Sequence, residues 1–125
     1  MHADIYIRAA SKEQPLEDFA RRIFSRLGVA HFEERESSNC VEGHYFRSTA
    51  LGIEVVIAHA DAEGLDNYRF CMTLTAEQSV GYDTGYLENH AQTLARLLSQ
   101  HGWSCFVPDD TATVRGENEG TIYEV

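Results

Sequence analysis

The chain has 125 residues, 43 % of them hydrophobic and 10 % aromatic, with 20 Asp and Glu against 10 Lys and Arg for a formal net charge of −10. That length and composition predict one domain, residues 1–125, with a real apolar core, and exclude a disordered chain. The acid excess argues against a nucleic-acid backbone as ligand, which needs clustered Lys and Arg. No apolar run approaches the roughly 18 residues of a membrane span.

Residues 3–9 alternate and are rich in β-formers, which predicts a first strand. Pro15 and Leu16 open a helix, with Glu17 and Asp18 at the positive end of its dipole. Leu16, Phe19, Ala20, Ile23, Phe24 and Leu27 recur at helical spacing and form its apolar face, and Gly28 supplies the stop. Residues 29–36 read as a second strand ending in the charged run Glu33-Glu34-Arg35-Glu36, and Ser37-Ser38-Asn39 as a loop. Residues 43–50 and 52–60 form the clearest strand pair, joined by a tight turn at Leu51-Gly52. An acidic loop over 61–67 leads to another alternating strand over 68–75.

After a turn segment at 81–85, a second helix over 84–101 carries the stripe Leu87, Ala91, Leu94, Leu97 and Leu98, with Asp83 or Thr84 as cap and Gly102 as stop. Residues 103–107 form a short strand, 108–120 are polar and acidic, and 121–125 close as an edge strand. The order β-α-β-β-β-β-α-β-β, with short loops between successive strands, predicts an α+β fold: an antiparallel meander sheet with two amphipathic helices packed on one face.

The charge is unevenly placed. Residues 1–32 hold four acids and five bases; residues 33–125 hold sixteen acids and five bases. In a meander, the loops after the second and fourth strands lie at the same end of the sheet. That gathers Glu36, Glu42, Asp61, Glu63 and Asp66 into an acidic rim on loops, where recognition surfaces commonly sit. Such a rim fits a basic protein partner, and fits equally a solvated surface. Tyr45 and Tyr68 are the aromatic residues placed to anchor a contact there, with core packing as the alternative.

Other chemistry finds less support. Cys40, Cys71 and Cys105 are odd in number and widely spaced, without CxxC, which favours a reduced compartment and three structural thiols. Residues 1–5 lack the charged and apolar regions of a secretory signal, so a cytoplasmic location is expected. No GxSxG, P-loop, GxGxxG or HExxH is present, and no catalytic residue or cofactor is assigned. With Leu51-Gly52 as a two-residue turn, His44 falls opposite His59, and Asp61 follows on the same side; two imidazoles and a carboxylate suit Zn²⁺ or Fe²⁺. The same side carries Phe46, Ile53, Val55 and Ile57, so a pair of histidines at the core margin explains the spacing as well.

The run Glu36-Ser37-Ser38-Asn39-Cys40-Val41-Glu42-Gly43-His44-Tyr45-Phe46, then Ala50-Leu51-Gly52-Ile53-Glu54-Val55 and Tyr68-Arg69-Phe70, resembles a pattern in small acidic immunity proteins of bacterial polymorphic-toxin systems, including contact-dependent growth inhibition. The resemblance spans residues 33–74 and is one of strands and turns, with no active site to carry over. It implies a cytoplasmic, non-enzymatic protein that binds and neutralises a cognate basic toxin domain, commonly a nuclease. The expectation is therefore an immunity protein whose contact surface includes Glu36, Glu42, Asp61, Glu63 and Asp66 with Tyr45 and Tyr68. The alternatives are a small metal-binding domain or metalloenzyme using His44, His59 and Asp61, and a homo-oligomeric accessory domain that pairs through an exposed edge strand.

Overall fold

The computed structural model describes residues 2–8, 15–50, 52–62, 64–76, 84–110, 114 and 116–125. Among them, seven strands and two helices follow in the order β1 (His2–Ile7), α1 (Leu16–Arg26), β2 (Glu33–Glu36), β3 (His44–Ala50), β4 (Ile53–His59), β5 (Phe70–Ala76), α2 (Thr84–Gln100), β6 (Cys105–Pro108) and β7 (Gly120–Tyr123). The strands make one antiparallel sheet in the order β2-β3-β4-β5-β1-β6-β7. The expected α+β class holds, with the central meander β2 to β5 intact. The chain's first strand sits between β5 and β6, deep in the sheet.

Period-two alternation explains the layering. Ile53, Val55 and Ile57 of β4, Phe70, Met72 and Leu74 of β5, Ala3, Ile5 and Ile7 of β1, and Cys105 and Val107 of β6 share one face, and both helices pack on it in a single core. The α1 stripe is buried as its spacing predicts, with only Leu27 at the margin, although the helix begins at Leu16 and Pro15 stays extended just before it. Phe19 stacks on Phe70 at 4.0 Å between ring centroids and meets Trp103 edge-on at 6.4 Å. The α2 stripe is corrected at one step: Leu87, Ala91, Ala95 and Leu98 are buried, while Leu94 and Leu97 lie at the margin. The small Ala91 and Ala95 let that helix lie close to the sheet. Gly102, at φ 101°, ends it, with the Trp103 amide donating to the Leu98 carbonyl at 3.0 Å. Of the turn segment expected over 81–85, residues 81–83, with the cap candidate Asp83, lie outside the described residues, and 84–85 already belong to the helix.

The opposite face of the sheet is not left to solvent throughout. Tyr6 and Phe106 point outward there, and Leu65, Tyr68 and Val114 fold over them as a second, smaller core. Toward the β2 edge the same face carries a charged lattice: Arg47 bonds Glu33 and Glu54, and Arg35 bonds Glu33 at 2.9 Å. The two guanidiniums, Arg35 foremost, hold the Glu33 carboxyl below its ordinary range. Among the described residues, no helix is long and apolar enough to cross a membrane.

Candidate functional site

The end of the sheet where β2 and β4 finish and β3 and β5 begin gathers the residues of interest. Its geometry follows from register. Ala50 pairs with Ile53, the register that a two-residue connection dictates, and the ladder runs back to Phe46 opposite Ile57. Two residues further on, His44 and His59 face each other across the strands, with ring centroids 6.4 Å apart on the side of Phe46 and Ile57. His59 lies against the ring of Phe70 and His44 against that of Phe46, each at 5.7 Å. The expected pairing of the two imidazoles is therefore present.

Asp61 does not complete this pair. It is exposed in the loop after β4. The carboxylate that arrives is Glu42, whose Oε2 lies 2.8 Å from His59 Nε2. Its backbone adopts φ 62°, ψ 8°, a left-handed conformation uncommon for a residue with a side chain. Gly43 follows at φ 78°. The Gly43 amide donates to Cys40 at 2.9 Å, and the Gly43 carbonyl accepts from the Ser37 amide at 2.9 Å. Those bonds fold the β2–β3 connection back onto the end of β4, which is how Glu42 reaches a histidine two strands away. A second carboxylate, Glu34, sits 3.3 Å from His44 Nδ1 through its Oε2. Glu34 pairs with Phe46 and Glu36 with His44, so both acids project on the histidine side of the edge strand. Glu34 and the role of Glu42 escaped the spacing argument. Alternation within Glu33-Glu34-Arg35-Glu36 does carry the signal for Glu34; a left-handed Glu42 has no pattern to announce it.

The remaining rim residues separate. Glu36, Asp61 and Asp66 are exposed, and among the described residues none of them has an ion-pair partner. Glu63 lies outside the described residues. Tyr45 is half-buried on the outer face of β3, opposite Arg35. Tyr68 is a correction: the residue is 3 % exposed and belongs to the second core, so it offers no surface to a partner. Burial, followed by the charge of Glu117, pushes its hydroxyl up to about 12. The second acidic stretch of the sequence does approach this end. Glu117 Oε1 lies 3.4 Å from both Arg8 Nη2 and Asn67 Nδ2, which ties it to the loop after β4.

Two of the thiols are held in their protonated form by their surroundings. Burial pushes Cys105 up to about 12, and burial with the nearby Asp4 charge raises Cys71. Comparison with protein-family models, with curated proteins and with solved structures finds no match to the chain.

Proposed function

We propose that the protein is a non-enzymatic binding module that captures a basic protein partner at the acidic end of its sheet, in the manner of an immunity protein that neutralises a toxin domain. The observation that carries this reading is the set Glu36, Asp61 and Asp66: three exposed carboxylates without ion-pair partners among the described residues, held at one end of a rigid sheet on a chain of net charge −10. Unpaired surface acids raise the local potential and accelerate encounter with a positively charged surface. Half-buried Tyr45 is the aromatic residue left to contribute a desolvated contact, since Tyr68 is inside.

A basic toxin domain encoded beside this chain is the partner to test. Stopped-flow association at several salt concentrations should be fast and strongly salt-dependent. Glu36→Lys, Asp61→Lys and Asp66→Lys combined should slow it by about tenfold or more and flatten the salt slope. An unchanged rate and slope would remove this surface from the interface, and a toxin domain that does not bind at all would remove the immunity reading.

A further inference from the structure

We propose that Glu42, His44 and His59 form a binding site for one divalent transition-metal ion of the zinc class. One donor atom from each of the three lies within 4.8 Å of the other two. Donors at the ordinary 2.0–2.2 Å from a tetrahedral ion are about 3.4 Å apart, so closure needs a movement of little more than an ångström. Glu42 is free to supply it, since its side chain is 66 % exposed and reaches in from the loop.

The independent observation is the state of His59. Its side chain is only 10 % exposed, yet the buried Nε2 makes no hydrogen bond. Glu42 Oε2 is near, at 2.8 Å, but approaches out of line with the ring N–H, so proximity gives no bond. An oxygen beside the nitrogen's axis, rather than on it, is the placement of two ligands that share an ion. A buried nitrogen without a partner costs about 1–3 kcal/mol, which a metal bond would relieve. The donor set of two imidazoles and one carboxylate selects Zn²⁺-like ions over Mg²⁺ or Ca²⁺, which prefer all-oxygen cages. Glu34 behind His44 and the rings of Phe46 and Phe70 beside the pair complete the surroundings that steady metal-ligating histidines. Three protein donors leave a fourth position for water or for a side chain of a bound protein. The site stands on these contacts and does not depend on any partner.

The test is metal titration of the untagged, full-length protein after chelator treatment. Co²⁺ should bind one per chain, with the visible absorption of a low-coordinate ion, and one equivalent of Zn²⁺ should displace it. Replacing partners that merely support a ligand costs ~10–100-fold in affinity, so Glu42→Gln and His44→Gln should each cost about 100-fold or more. The double variant His90→Gln on α2 and His101→Gln just after it should bind like the parent. His59→Gln should abolish binding while circular dichroism reports its fold; should that variant unfold, the two changes at exposed or half-buried positions decide the matter. No one-to-one binding at about ten micromolar free metal, far above the Kd of an ordinary protein zinc site, overturns the proposal. So does unchanged affinity in both Glu42→Gln and His44→Gln.

Discussion

Asp4 shows how one side chain sets a pH dependence for the whole chain. It projects to the outer face of β1, is 8 % exposed, and accepts a 2.7 Å hydrogen bond from Thr73 Oγ1. Burial raises its pKa above the ordinary 3.8, against the opposing help of Thr73 and His2. A raised carboxyl pKa means that the folded state holds the proton more tightly than the unfolded state. Its contribution to stability is therefore intact in acid and is lost as pH climbs from 3.8 through the folded value. Asp4→Asn keeps an acceptor for Thr73 and removes the charge. The variant should melt at a higher temperature than the parent at neutral pH, with the gap closing in acid; thermal melts across that range check it. A parent that matches the variant at every pH would mean that burial does not govern this carboxyl.

Among the elements, the β6–β7 pair depends on one residue that has no side chain. Gly120 opens β7 opposite Pro108, in extended backbone that any residue adopts. A Cβ there would lie 2.3 Å from the Val107 carbonyl oxygen and 2.7 Å from the Phe106 ring and Pro108 Cα. Backbone cannot yield as a flexible side chain can, so Gly120→Ala should cost about 1–3 kcal/mol, read from urea denaturation. Hydrogen exchange should then be fastest in residues 120–123. The elements also show what the sequence makes legible. Alternation in β3 and β4, with a two-residue connection, was enough to place His44 opposite His59 by counting. The stripe of α1 was legible because large apolar residues mark it. In α2 the contact face runs through Ala91 and Ala95, and the hydropathy of Leu97 drew the stripe to one side. The loop over 61–67 read as solvated because its three acids outnumber its two apolar residues, Ala62 and Leu65. Yet Leu65 and Tyr68 turn it onto Tyr6 and Phe106, a long-range match that no local pattern contains.

At the scale of the molecule, the acid excess acts on stability as well as on partners. Net charge far from zero repels itself most strongly in the compact state. Moderate salt shortens the reach of that repulsion to about 10 Å, while the exposed pairs it also weakens, such as Arg21 with Glu17 and Asp18, contribute little. The melting temperature should rise by a few degrees, about 1 kcal/mol, between low salt and about 0.15 M NaCl. A fall would mean that the surface pairs, Arg47 with Glu33 and Glu54 foremost, outweigh the repulsion.

The position of β1 has a consequence for the order of assembly. This strand lies between β5 and β6, so its neighbours are residues 70–76 on one side and 105–108 on the other. The meander β2 to β5 closes through short connections, but the central strand must wait for segments some seventy and a hundred residues away along the chain. Non-local pairing of that kind carries its loop-closure entropy before any contact repays it, and slows folding. The bottleneck is then the docking of β1 into a gap whose far wall, β6, lies about a hundred residues along the chain.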